Sequence, residues 1–124
     1  MSKNVLLVGW DPAVVDFSLL PQLDLNEEKL RRALAIDRER LTTIGYRAQW
    51  CFLQREEGDE SLLIEALKNN RYDCVMIGAG VRLPPDYHLV FEKLVNIVHR
   101  KAPQAAICFN TNPADTAAAV MRWV

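Results

Sequence analysis

Two short runs, Val5-Leu6-Leu7-Val8-Gly9-Trp10 and Cys74-Val75-Met76-Ile77, are apolar throughout, with no alternation of polar and apolar positions. A strand that hides both faces belongs inside a parallel sheet with helices above and below it. This limits the chain to a small set of folds, and the intervening segments narrow the set further.

From Glu27 to Ile44 the apolar residues Leu30, Ala33, Leu34, Leu41 and Ile44 recur at helical spacing. Asp24 followed by Glu27 reads as a reciprocal cap, and Gly45 as the stop. Residues 46–53 put Trp50 and Phe52 on one face and interleave Arg47 and Gln49, the mixed pattern of an edge strand. Leu62, Leu63, Ala66 and Leu67 mark a second helix that ends near Asn69-Asn70, and residues 73–79 form the third strand. Pro84-Pro85-Asp86 opens a third helix with Tyr87, Val90, Phe91, Leu94, Val95 and Val98 inward and His88, Glu92, Asn96 and Arg100 outward. Residues 105–109 are the fourth strand, and Asn112-Pro113-Ala114-Asp115 caps a last helix that runs to Val124.

This strict alternation predicts an α/β fold: a three-layer α/β/α sandwich around a four-stranded parallel sheet of order 2-1-3-4. At 124 residues the chain is expected to form one domain, 1–124. The fourth strand is left with a free edge that a helix or loop must cover or a second chain must pair with, homodimerisation being one of these alternatives.

Charge and composition exclude several functions. The 15 basic and 16 acidic residues are interspersed and leave a net charge of −1, so there is no positive field for nucleic acid or an anionic membrane surface. No apolar run approaches the ~20 residues of a spanning helix, and the first strand follows Met1-Ser2-Lys3 without a secretory signal. A cytoplasmic protein is expected. Cys51, Cys74 and Cys108 lie far apart in apolar stretches, which reads as three buried thiols and neither a disulfide framework nor a zinc site.

In an open parallel sheet, ligands bind beyond the carboxyl ends of the strands, where successive connections leave in opposite directions. Here that point lies between the first and third strands. The residues expected at that rim are Asp11, Gly78, Gly80, Arg82, Asn110 and Thr111. A carboxylate, a guanidinium, neutral hydrogen-bonding side chains and closely approachable backbone suit a small polar or anionic ligand. Each also has a plain structural role: Asp11 begins a turn, Arg82 pairs with Asp11 or faces solvent, and Asn112 next to Thr111 is a helix cap. Residues 11–25 form a long connection carrying Val14, Val15, Phe17, Leu19 and Leu20, and these side chains must cover something. A lid over the rim is one reading, a loop packed on the domain or on a second subunit the other.

No catalytic set emerges. Ser18 and Ser61 have no histidine at a predictable reach, and the thiols occupy strand interiors. Gly78-Ala79-Gly80 lacks the third glycine of a dinucleotide fingerprint, Leu83 standing there, and follows the third strand instead of the first. His88 and Glu92 share a stripe of the third helix that reads as a solvated face. Asp37 falls on the apolar face of the first helix and needs a partner or a wet interface, but is not assigned to the rim. No cofactor or metal is expected.

The strand order, and Asp11 after the first strand with Thr111 after the fourth, resemble response-regulator receiver domains and the wider flavodoxin-like topology, truncated by one strand. The receiver resemblance implies an acidic cluster, a phosphoacceptor Asp after the third strand and a Lys after a fifth. Gly78-Ala79-Gly80 supplies no acceptor, and a fifth strand is missing. Flavodoxins carry a Ser/Thr-rich phosphate loop where this chain has Trp10-Asp11-Pro12-Ala13. Through Val15-Asp16-Phe17-Ser18, Gly78-Ala79-Gly80-Val81-Arg82-Leu83-Pro84-Pro85 and Phe109-Asn110-Thr111-Asn112-Pro113, the whole chain resembles a family of short uncharacterised bacterial and fungal proteins. The expected function is ligand binding at the rim. The alternative is a degenerate receiver-like module that associates with itself or a partner without phosphotransfer.

Overall fold

The computed structural model describes residues 2–124, apart from the side chain of Leu23. Four strands, β1 (Asn4–Trp10), β2 (Arg47–Leu53), β3 (Cys74–Ile77) and β4 (Ala106–Phe109), pair in parallel in the order β2-β1-β3-β4. Val5 stands opposite Ala48 on one side and Cys74 on the other, so both central strands are fully laddered.

The period of two along β1 divides the core. Leu6, Val8 and Trp10 point to the face covered by α2 (Asp59–Asn69) and α4 (His88–Lys101), where they meet Leu63, Leu67, Leu94 and Val98. Val5 and Leu7 point to the face covered by α1 (Glu27–Ile44) and α5 (Thr116–Met121), against Leu41, Ala119 and Val120. Helix α1 connects β1 to β2 on one face, and α4 connects β3 to β4 on the other. The sheet therefore has its switch point between β1 and β3, as the sequence pattern requires.

The two edges differ. β2 carries a ring pair, Trp50 stacked on Phe52 with centroids 5.2 Å apart and planes 6° from parallel. The β4 edge is partly closed by α5, from which Arg122 Nη2 donates to the Phe109 carbonyl at 3.0 Å. All three cysteines are free and buried, and Cys74 Sγ lies 3.5 Å from Cys108 Sγ across β3 and β4. The hydrogen bond with Cys108, and burial after it, push the Cys74 thiol up. Burial, with the Asp59 charge, raises that of Cys51 to about 11.

Several local boundaries depart from the sequence reading, and the last helix, read as running to Val124, ends at Met121. Asn26, and not Asp24, caps α1: its side chain accepts from Lys29 N at 2.8 Å, while Asp24 sits in the left-handed region (φ 45°) at the close of a preceding turn. The third strand, read as 73–79, ends at Ile77, and residues 79–82, read as its last residue and the loop after it, form a helical turn, α3 (Ala79–Arg82). Pro85 opens only a 3-10 turn, Pro85–Tyr87, and α4 begins at His88. In each case a short 3-10 or helical turn lies next to the predicted element, and such turns have no periodicity by which a sequence can announce them.

The division of the core predicts contrasting stabilities for two leucines. Leu7→Ala, at a fully buried position, is expected to cost about 3 kcal/mol in urea unfolding, whereas Leu62→Ala, on the half-exposed side of α2, is expected to cost less than about 1 kcal/mol.

Candidate functional site

Val8 of β1 stands opposite Ile77 of β3, and the next residue on each chain segment is a glycine, Gly9 within β1 and Gly78 just past β3. Gly9 faces the α1 side of β1, where a methyl group would meet Trp50 Cζ3 at 3.4 Å. Gly78 follows β3, and its amide donates to the Val8 carbonyl at 2.8 Å. Missing side chains at adjacent strand ends leave a crevice. It is a cavity of about 60 Å³, walled by Trp50 from β2, Leu30 and Leu34 from α1, and Gly78, Ala79 and Gly80 from the β3 side.

The segment between β1 and α1 closes this crevice. It is built from three single-turn 3-10 helices, Pro12–Val14, Phe17–Leu19 and Pro21–Leu23. Asp11 and Asp16 start the first two, accepting from Ala13 N at 2.9 Å and Ser18 N at 3.0 Å. Hydrogen bonding from the Ser18 hydroxyl and amide holds the Asp16 carboxyl below its usual range. Val15, Phe17, Leu20 and Leu25 line the cavity, and Arg55 Nη1 ties the segment to β2's end through the Val14 carbonyl at 2.9 Å. The apolar residues of this connection thus cover the rim.

The six rim residues expected from sequence divide into two groups. Gly78, Gly80 and Asn110 line the cavity; Asp11, Arg82 and Thr111 do not. Asp11 binds within its own surroundings, accepting from Ala13 N, from Gln54 Nε2 at 3.2 Å and from Arg31 Nη2 at 3.4 Å. The Ala13 amide, then Gln54, then Arg31 hold its carboxyl below the usual range. Arg82 Nη2 donates to the Asn110 carbonyl at 2.8 Å, and its Nε is buried without a partner among the described residues. The Thr111 hydroxyl donates to Asp115, whose other oxygen accepts from Thr111 N at 2.9 Å. Burial opposes ionisation of Asp115, but these bonds and that from Asn112 N outweigh it and lower its pKa.

The indoles lining the crevice likewise have partners: Trp50 Nε1 donates to the Leu34 carbonyl and Trp10 Nε1 to the Gly80 carbonyl, each at 3.1 Å. Trp10 also sits edge-on to Tyr87, with centroids 5.2 Å apart. The crevice is therefore an apolar room with backbone and one amide side chain at its polar end.

That amide belongs to a buried chain of hydrogen bonds. Asn110 Oδ1 accepts from Ala79 N at 2.8 Å, Asn110 Nδ2 donates to Thr116 Oγ1 at 2.9 Å, and Thr116 Oγ1 donates to Asp37 Oδ2 at 2.6 Å. Asp37, nearly three turns along α1, is thus connected to the rim, which the sequence reading did not assign. Its position on the apolar face of a helix was the available signal; Thr116, 79 residues away, could not be matched to it by spacing. Burial pushes the Asp37 carboxyl up to about 6; the Thr116 hydroxyl and then Arg40 of α1 act to lower it, and Asp115 from the turn before α5 adds to the rise.

Among the described residues no three His, Cys, Asp or Glu side chains gather as a metal site, and His88 and Glu92 lie on the exposed face of α4. No helix of the described residues is long and apolar enough to cross a membrane. No family model, no curated protein and no solved structure matches the chain.

The raised Asp37 acid has a signed consequence. In the unfolded chain it titrates near 3.9; in the native state it holds its proton up to about 6. The native state binds more protons between these values, so this contribution to stability is complete at acid pH and lost as pH rises through about 6. Asp37→Asn keeps an oxygen for Thr116 and removes the charge. Its stability relative to the parent is expected to rise between pH 4 and 7 by on the order of 2 kcal/mol, measured by urea unfolding at both pH values. A difference independent of pH would contradict the assignment.

Proposed function

We propose that the chain binds a small, largely apolar molecule in the crevice between the ends of β1 and β3, with residues 12–25 as its lid. The observation that carries this reading is a cavity walled by Trp50, Leu34, Phe17 and Leu20 at the sheet's switch point. Pockets of this kind, apolar with a few fixed polar groups, are the usual form of a small-molecule site. The charged residues expected to favour an anionic ligand stand outside the lining and are engaged elsewhere, which moves the ligand's character toward the apolar. A polar end would meet the backbone of Gly78, Ala79 and Gly80.

At ~10–15 Å³ per water, the cavity holds only a few water-sized groups, so a ligand of several heavy atoms enters as the lid lifts. A lid of three isolated 3-10 turns has few backbone bonds to break. The strand order supports a likeness in topology to flavodoxin-like and receiver folds. Gly78 in the phosphoacceptor's place and Gln54 and Arg31 beside Asp11 favour binding without phosphotransfer. The free thiols fit a cytoplasmic setting.

Titration of the labelled protein with isobutanol, followed by amide NMR, tests this reading. Shifts are expected at Gly9, Gly78, Gly80 and the Trp50 indole. Gly9→Ala, which adds a methyl group to the lining, is expected to weaken binding about tenfold, and Arg82→Ala to change it less than about twofold. Shifts elsewhere, or an indifferent Gly9→Ala, would overturn it.

A second reading, self-association through β4 and α5, is favoured by Met121 and Trp123, which are 55% and 64% exposed beside that edge. Light scattering at high concentration decides it: a dimer mass supports this reading, and a strictly monomeric mass removes it.

A further inference from the structure

Residues 12–25 cover the crevice with apolar side chains, and the bonds that close their three turns stay within the segment or reach only to Asp11. Among the described residues, one hydrogen bond ties this segment to the rest of the fold: Arg55 Nη1 donates to the Val14 carbonyl at 2.9 Å.

Arg55 stands in the turn after β2 with φ 60°, in the left-handed region that a residue with a side chain enters at a cost. Such a conformation persists only where its surroundings over-determine it. Here the surroundings are Asp59, the buried carboxylate that opens α2. Its two oxygens accept from Gln54 N at 2.6 Å and Glu56 N at 3.2 Å, the amides on either side of Arg55. The side chain so directed also has a seat. The guanidinium carbon lies 5.3 Å from the centre of the Tyr87 ring, and Tyr87 packs edge-on against Trp10, a wall of the crevice. The nearby acids have other partners, since Asp59 is taken by the two amides and Glu60 by Lys93 at 3.1 Å. The Arg55 charge acts also on the Asp16 carboxylate, which starts the second turn of the segment.

We propose that Arg55 is the latch of the lid: it holds residues 12–25 over the crevice, and a ligand enters or leaves when its bond to Val14 is broken. The inference rests on the crevice being the ligand site, and it assigns control of that site to the turn between β2 and α2, which lines none of the cavity. Because the tie is a single bond from an exposed side chain, breaking it leaves both faces of the core packed.

Amide hydrogen exchange on the full chain tests the latch without any ligand. Arg55→Ala is expected to speed the exchange of Val14, Leu19 and Leu20 about fivefold and to leave β1 and β3 within about twofold of the parent. Arg55→Gly removes the same bond and also relieves the left-handed backbone. Its lid amides are therefore expected to exchange as fast as those of Arg55→Ala, although its urea midpoint lies higher, whereas a residue that only supported the fold would make exchange follow the midpoint. Arg55→Lys, which keeps the charge and a donor, is expected to restore part of the protection. With isobutanol, NMR line shapes are expected to show association and dissociation both about fivefold faster in Arg55→Ala, at an affinity changed less than about twofold. Unchanged lid exchange in the Ala and Gly variants would overturn the latch and leave the crevice reading intact. Acceleration spread evenly over β1 and β3 would overturn it as well. Faster lid exchange in a protein that binds no isobutanol would keep Arg55 as the tie of this segment and overturn the crevice reading.

Discussion

The end of the sheet is held together by one buried chain of hydrogen bonds, from the Ala79 amide through Asn110 and Thr116 to Asp37. It joins α3, the end of β4, α5 and α1, four elements that have no continuous backbone ladder between them. Each group along it is enclosed, so losing one member strands the next without a partner in apolar surroundings, at a cost that exceeds that of an ordinary surface bond. This fixes where α1 and α5 sit over the strand ends, and so fixes the width of the space between them.

That space is apolar because the polar groups near it have other partners. Asp11 is taken by its own turn, Gln54 and Arg31; Thr111 by Asp115; Arg82 by the Asn110 carbonyl; and both tryptophan N–H groups by carbonyls. What remains at the switch point is glycine backbone and hydrocarbon. Gly9 and Gly78 create the room, and Phe17, Leu20 and Leu25 close it. The same topology that brings charged chemistry to the rim in other parallel sheets here brings a mostly apolar lining to it.

Much of the architecture was legible in the residues. The unbroken apolar runs of β1 and β3 specified central parallel strands, the mixed pattern around Trp50 specified an edge, and the strand order followed from connection length and handedness. The apolar connection after β1 was legible as a cover, and Gly78, Gly80 and Asn110 as rim residues. The directions of side chains were not legible. Asp11 and Arg82 stand at the rim but outside the cavity lining, held by a capping bond and by the Asn110 carbonyl. Nor could spacing pair Asp37 with Thr116, since a contact across 79 residues depends on the packing of two helices that the pattern only places on the same face.

The central claim is that the switch point holds a small apolar room that small molecules can enter. Pressurising crystals of the protein with xenon tests it most directly, since this gas settles in apolar cavities and not among ordered waters. The account predicts a xenon atom between Gly9, Trp50 and Leu34, under the lid. A crevice filled by hydrogen-bonded water, with xenon elsewhere or nowhere, would contradict it.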